Sequence, residues 1–318
     1  MIELVIETKK GLIQPLVEDG VTWDTERKGV PGKLTFKLLD KGDLNISEGN
    51  PVRMKWKGKN VFFGFIFIIK RDKDRTVNVT AYDQMRYLKN KDTYVFKNKK
   101  ASDIIKMLAS DFGLKTGSVE NTSYTIKSRI EDNKTLFDMI YNALDLTLDN
   151  TGKMYVLYDD FGKLTLKNIE SMKTKIVMAN ETAENFDYQT SIDGETYNKI
   201  KLIYENEKTG KRDVFIAQSG ANINAWGVLQ YFDTIEGKEN GAQKANALLG
   251  LYNTPIRTLS LKGCLGDVAA RAGASIVVSL KFADQKLQNY LVIEKAKHTF
   301  SNNQHNMDLT LIGGDFSA

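Results

Sequence analysis

Two histidines and one cysteine are the only imidazole and thiol groups in a chain of 318 residues. His298 and His305 flank the polar run Ser301-Asn302-Asn303-Gln304. If that run turns a hairpin, Phe300 faces His305 and His298 lies diagonally across on the same sheet face. A metal site wants a third ligand, which the pattern lacks, so both read as solvent-facing strand histidines. Cys264, in Gly263-Cys264-Leu265-Gly266-Asp267, has no histidine near it in sequence and reads as a buried structural thiol. A lone cysteine forms no internal disulfide. Glycan hydrolysis requires two carboxylates roughly 5 to 10 Å apart, one with a raised pKa. Adjacent pairs occur, such as Glu131-Asp132, at a predicted helix start, and Asp159-Asp160, in a predicted hairpin turn. Both positions favour acidic residues for local reasons of capping and turn formation. There is no His-Glu-x-x-His, Cys-x-x-Cys, Gly-x-Ser-x-Gly, Walker loop or Gly-x-Gly-x-x-Gly after a strand. The chain is therefore read as a non-enzyme, with no catalytic, cofactor-binding or metal-binding residue to name.

Charge is the more informative chemistry. Counting Lys plus Arg against Asp plus Glu, residues 1–50 give 7 − 9 = −2, residues 51–100 give 14 − 4 = +10, and residues 101–318 give 24 − 27 = −3. The excess of +5 is thus confined to one block. Within it Arg53, Lys55, Lys57 and Lys59 share parity, so a strand running through all four projects them from one face and Val52, Met54 and Trp56 from the other. Two readings stay open: a solvated face guarding a sheet edge, or an electrostatic contact face, such as could meet nucleic acid, an acidic membrane surface or an acidic protein partner. Trp56 falls on the apolar side, which disfavours nucleic-acid readout through stacked bases. The longest apolar stretch, Val61 to Ile69, falls short of the roughly 20 residues of a membrane-spanning helix. No basic start or cleavage site of a signal peptide precedes it, so the expectation is a protein made in the cytoplasm, with no membrane partner.

The elements that position these groups are mostly strands. Leu34 to Leu38, Val52 to Trp56 and Val77 to Ala81 alternate with period two, separated by turn signals at 29–32, 47–51 and 71–74. At residue 101 the period becomes helical: Ile104, Ile105, Leu108 and Phe112 recur, and Gly113 follows as a C-terminal cap. A second helix is predicted from about Lys134 to Thr147, capped by Asp132 or Asn133, and then a hairpin turning at Asp159 to Gly162. Strands return from Ile176, at 198–204, 212–217, 256–261, 275–280, 290–300 and 307–312. An Ala-rich helix is predicted near 239–251 and a long loop over 219–237. The segments 49–81 and 273–311 both read as glycine-opened three-strand meanders with similar gaps. Restricted turn spacing produces such likeness by chance; duplication of one β-domain within the chain produces it too. The expected organisation is mainly β (β+α). A first β-barrel occupies 1–95, completed by a strand within 176–190. An inserted helix-plus-hairpin module occupies 96–170, and a second related β-barrel 191–318.

Several stretches then resemble a known family. Glu48-Gly49-Asn50-Pro51-Val52, Val61-Phe62-Phe63-Gly64, Thr80-Ala81-Tyr82-Asp83, Tyr87-Leu88-Lys89-Asn90-Lys91, Asp132-Asn133-Lys134-Thr135-Leu136 and Tyr197-Asn198-Lys199-Ile200-Lys201 resemble the XkdQ/YqbQ-like tail proteins of prophages and phage-tail-like bacteriocins. The resemblance implies a baseplate hub of a contractile tail, similar to myophage hubs and type VI spike bases. Such a hub is a homotrimer whose two barrels per chain make a pseudo-sixfold ring between the hexameric tail tube protein and the trimeric central spike protein. Other baseplate proteins are further partners, and the protein ends in a virion or phage-tail-like particle. The basic residues Arg53, Lys55, Lys57 and Lys59 are the expected protein interface. Some family members carry a hydrolase label. The alternative is accordingly a peptidoglycan-acting hydrolase or cell-wall binding module, with its site in 96–170.

Overall fold

The computed structural model describes residues 1–40, 44–73, 75–205, 209–235, 241–282 and 285–313. Its first seven strands are β1 (Ile2–Thr8), β2 (Gly11–Ile13), β3 (Val21–Glu26), β4 (Lys33–Leu39), β5 (Pro51–Trp56), β6 (Lys59–Arg71) and β7 (Thr76–Tyr82). Their alternation does what period two dictates: Val21, Trp23, Leu34, Phe36, Leu38, Val52, Met54, Val77 and Val79 all turn inward to one core. They bond in the order β3-β4-β7-β6-β5-β1-β2. Gly64 in β6 is required by close approach, since a Cβ there would stand 2.2 Å from the Tyr82 carbonyl.

The chain then leaves the sheet through a short 3-10 turn capped by Asp83. A module follows of β8 (Lys91–Lys99), α1 (Ala101–Asp111), β9 (Thr116–Val119), β10 (Ile126–Thr135), α2 (Leu136–Thr151), β11 (Tyr155–Asp159) and β12 (Leu164–Asn168). Ile104, Ile105 and Leu108 of α1 and Phe137, Ile140 and Leu144 of α2 pack with Leu157, Leu164 and Leu166 of the hairpin. The expected turn is present, with Phe161 and Gly162 both left-handed as a type I′ turn needs. Two local expectations are corrected. β8 and β10 pair antiparallel, from Thr135↔Lys91 to Ile126↔Lys99, so the module begins before residue 96. Strand β10 also carries through Asp132 and Asn133, and α2 starts later. Its cap is Thr135, whose hydroxyl accepts from Asp138 N (3.1 Å) while the Asp138 carboxylate accepts from Thr135 N (3.3 Å).

The remaining strands are β13 (Lys173–Ala179), β14 (Asn185–Ser191), β15 (Lys199–Glu205), β16 (Arg212–Gln218), β17 (Gln230–Thr234), β18 (Ile256–Leu265), β19 (Ser275–Phe282), β20 (Gln285–Ser301) and β21 (Gln304–Ile312). Two helices, α3 (Gly220–Trp226) and α4 (Gly241–Tyr252), lie among them. α3 and β17 occupy the stretch expected to be a loop. The start of the expected 239–251 helix falls outside the described residues.

The two meanders are realised strand for strand. β13, β14, β18, β19, β20 and β21 bond in the order β13-β19-β20-β21-β18-β14, and β1, β3, β4, β5, β6 and β7 in the order β1-β5-β6-β7-β4-β3. These are the same spatial permutation of the same chain order. Correspondence extends to single hydrogen bonds. Gly49 N donates to Ile66 O (2.7 Å) as Gly273 N does to Ile293 O (2.8 Å), and Ile66 N to Asn50 O (3.0 Å) as Ile293 N to Ala274 O (2.9 Å). Both long central strands bulge one residue later, at Phe67 and Glu294. One orientation differs: β1 runs antiparallel to β5, whereas β13 runs parallel to β19.

Strands in 176–190 do not complete the first sheet as expected. β13 pairs β19, and β14 pairs β18. The first sheet is instead continued by β20, whose C-terminal half pairs antiparallel with β3, making one thirteen-stranded sheet. By contact, one compact unit comprises 1–148, 153–187 and 259–318, and a second comprises 149–152 and 188–258. The second unit has its own three-stranded sheet, β16-β15-β17. Its core is Ile200, Leu202, Ala217, Ile235, Ala245 and Leu248. Most of 191–258 is therefore an insertion between β14 and β18, at the place where β3 and β4 of the first repeat are joined by residues 27–32 alone.

Candidate functional site

The basic residues singled out by parity sit on the β5–β6 hairpin. Val52, Met54 and Trp56 are buried, and Arg53 is exposed on the opposite face, as alternation requires. The strand does not run through all four cations, however. It ends at Trp56, and Lys57 (φ 48°) with Gly58 (φ 77°) makes a left-handed turn that carries Lys59 back opposite Trp56. The four therefore share a hairpin end rather than one strand face. Arg53 pairs with Glu7 across to β1 (3.0 Å) and lies over the Phe63 ring (5.8 Å). Lys57 lies over the Trp56 ring (5.4 Å). The Arg53–Glu7 pair is exposed, so it is worth about 0 to 1 kcal/mol and leaves the cation available for a partner, and Lys57 is itself exposed above the buried ring.

Beside this hairpin an aromatic ladder runs along β6. Phe63, Phe65 and Phe67 stack edgewise with Phe161, Tyr87 and Tyr82, at ring separations of 5.6 to 6.1 Å. A cleft of about 500 Å³ opens there, lined by Arg53, Phe63, Phe65, Tyr87, Phe112 and Leu114 among others. Parity shows these phenylalanines as one face but gives no sign that the hairpin of the helical module covers it.

The acidic pairs do not form a catalytic dyad. Glu131 lies inside the module, paired with Arg129 and receiving the Asn142 amide on both oxygens (3.2 Å each), while Asp132 takes the Thr93 hydroxyl (2.7 Å). Asp159 caps its own turn through Gly162 N (2.6 Å) and accepts from Gln84 Nε2 (2.9 Å). Sequence reading missed Asp83 and Arg271. Asp83 accepts from Gly32 N (2.8 Å) and Met85 N (3.0 Å). The Arg271 guanidinium stands 4.0 Å over the Tyr158 ring. Burial first, and then the Asp159 charge, pushes Asp83 well above the ordinary carboxyl range; burial likewise raises Asp159. Burial lowers Arg271. These groups join the end of β7, the helical module and the β18–β19 connection. Each carboxylate is already committed to backbone donors, which is the arrangement of a structural tie.

The histidines are a correction. The register is as expected, Phe300↔His305 and Ser301↔Gln304, but the face is the core, not solvent. His298 is wholly buried and stacks on Trp23 at 4.8 Å; His305 stacks on Phe300 at 4.2 Å. The parity that places His298 with Ala296 and Phe300 already contained this answer. Burial lowers His298 to about 3 and His305 to about 4, so both are neutral at pH 7. Neutrality fixes the tautomers. His298 Nε2–H donates to Ala270 O (3.1 Å), which leaves its Nδ1 to accept from His305 Nε2–H (2.8 Å). Among the described residues no group of three metal-ligating side chains occurs. Cys264 is buried, as read, and burial pushes its thiol up to about 11.

With fold and surface in place, comparison with other proteins is decisive on kinship. The sequence pattern of the YqbQ-like family matches residues 21–312. This chain belongs to the YqbQ-like family. Two YqbQ-like relatives come from Bacillus subtilis (strain 168). The uncharacterized protein YqbQ is 34% identical over 324 residues, covering 98% of this chain and 97% of the relative. The phage-like element PBSX protein XkdQ is 32% identical with the same coverage. Among solved structures, the tail protein from Neisseria meningitidis MC58 aligns with a TM-score of 0.73 at 11% identity, covering 98% of this chain and 96% of that one. The 43 kDa tail protein of prophage MuSo2 from Shewanella oneidensis aligns at 0.69 and 12%, covering 97% and 98%. The E. coli c3393 protein, a component of the type VI secretion system, aligns at 0.59 and 12%, covering 99% and 79%. The YqbQ-like chain thus shares the fold of tail and type VI proteins along essentially its whole length.

Proposed function

We propose that this YqbQ-like protein is a structural subunit of a phage tail or phage-tail-like particle. Its role is that of a baseplate hub: three copies form a ring that adapts the hexameric tube to the trimeric spike. The observation that carries the reading is the doubled strand order. A chain with two copies of one six-strand unit presents six similar units when three chains close a ring, which matches a sixfold neighbour on one side and a threefold one on the other. Each six-strand unit is taken as one barrel of that ring. The basic hairpin of Arg53, Lys55, Lys57 and Lys59 is taken as a contact to the tube or a neighbouring baseplate protein. The protein is made in the bacterial cytoplasm and incorporated into the particle, and its part is architectural rather than catalytic. The names of the relative XkdQ and of the tail proteins with this fold support the setting.

The test is electron microscopy of particles from a host whose gene for this chain carries an internal tag. The expected result is labelling at the junction of tube and spike with threefold symmetry. Absence of the chain from purified particles would overturn the reading. Incubation of the purified chain with peptidoglycan decides the hydrolase alternative, with no released fragments expected.

A further inference from the structure

The internal repeat is used once within the chain and is left open once. β20 has one edge on β21 and shares the other between β19, through Ser275↔Val292, and β3, through Lys295↔Glu26 to Phe300↔Val21. The second contact is strengthened by Arg27 N to Glu294 O (2.9 Å) and Gly20 N to Phe300 O (3.2 Å). It is also charged in one sense, a basic strand against an acidic one. Lys295 pairs with Glu26 (3.1 Å), and Lys297 stands opposite Asp24.

β6 is the counterpart of β20, and the shared bulge fixes the correspondence: Ile68 to Arg71 stand where Lys295 to His298 stand. One edge of that half of β6 is on β7, from Ile68↔Thr80 to Arg71↔Val77. On the other edge β5 stops at Phe65, and no described strand follows it. The side chains are correspondingly uncovered. Ile68 is 41% exposed, Lys70 and Arg71 are exposed and Ile69 is half-buried, where Ala296 and His298 are buried. A strand edge left open in this way can pair with another chain, and its exposed cations, Lys70 and Arg71, favour an acidic strand over a second basic one. The counterpart of β3 is β14, which ends the sheet with β18 as its strand partner. Its surroundings are acidic: residues 176–198 carry Glu181, Glu184, Asp187, Asp193 and Glu195 and no Lys or Arg. The other ends of the sheet, β2 and β13, have no such template in the chain.

We infer that the edge of β14 in one copy of this chain pairs antiparallel with residues 67–71 of β6 in the next copy, repeating between chains the β3–β20 contact made within each. The inference rests on the ring reading above and names the surface that closes it. The contact is heterologous and head to tail, so it repeats until a ring closes. Its backbone bonds supply affinity, and basic β6 against acidic β14 supplies register.

The test is self-association of the full chain by sedimentation and native mass spectrometry at low salt. Ile68→Glu with Lys70→Glu, or Asp187→Lys with Gln189→Lys, should each weaken association by about tenfold or more through like-charge opposition. All four substitutions in one chain should restore it, since the signs are exchanged. Amide exchange over 67–71 and 185–191 should slow when the native chain assembles. A native chain that stays monomeric, or an oligomer in which these amides exchange as in the monomer, or a fourfold variant no better than either half, overturns the edge pairing. Incorporation of such a monomeric chain into particles would leave the tail reading standing, so the two failures are distinguishable.

Discussion

Burying two imidazoles against Trp23, Trp56 and Phe300 ties their protonation to folding. Unfolded, each histidine takes a proton near pH 6.5; folded, they do so near 3 and 4. Between those limits the unfolded chain binds more protons, so this contribution to stability is complete above about pH 6.5 and is lost as pH falls. The raised carboxyls Asp83 and Asp159 act in the opposite sense, so the informative quantity is a difference. The urea midpoint of the native chain should fall more steeply between pH 7 and 5 than that of His305→Gln. Parallel curves would mean that His305 is not held neutral. Gly266 gives a sharper probe of the same packing, since a Cβ there would stand 2.2 Å from the His305 ring. Gly266→Ala should lower stability by about 1 to 3 kcal/mol, read from thermal melts, as overpacking does in a filled core. At this scale the sequence shows which residues share a face. His298 shares its parity with Ala296 and Phe300 and so could be placed in the core despite its polar side chain, whereas the Asp83, Asp159 and Arg271 tie joins residues far apart in the chain and has no local signal.

Among the elements, those with a strong period were readable and those without one were not. α1 was legible because Ile104, Ile105 and Leu108 make one buried stripe and Gly113 (φ 65°) ends it. α3 was not, because none of its seven residues is buried, and β17 alternates only between half-buried and exposed. The start of α2 was misplaced because Asp132, Asn133 and Thr135 are all good caps, and the choice among them is made by β10 pairing with β8 past Asp132. That choice is testable. Thr135→Ala should cost about 0.5 to 2 kcal/mol in urea unfolding, and Thr135→Ser much less. Asp138→Ala removes the other half of the reciprocal cap, so its loss should be less than additive with that of Thr135→Ala; fully additive losses would mean that Thr135 does not cap the helix.

The molecule as a whole is one six-strand plan written twice, with a helical module between the copies and a second unit inside the later copy. The doubling was legible because each meander opens on a glycine, Gly49 and Gly273, that bonds to the same point of a long central strand. The β3–β20 bond between the copies was not, since edge pairing leaves no period in the sequence. Where β3 and β4 meet through residues 27–32, β14 and β18 are separated by some sixty residues that hold a sheet and core of their own. If the repeat is the organising plan, that insertion contributes nothing to the sheet that receives it. A chain in which residues 192–255 are replaced by a short Gly- and Asn-rich turn should therefore fold. Loop closure then favours it slightly, because shortening a connection lowers its entropic cost by about 0.6 kcal/mol per halving. The check is circular dichroism with amide exchange: strand signal retained, and protection across β18 to β21 unchanged within each ladder. Collapse of protection in β18 and β21 on excision would show that the inserted unit, rather than the repeated strand order, holds the second sheet together.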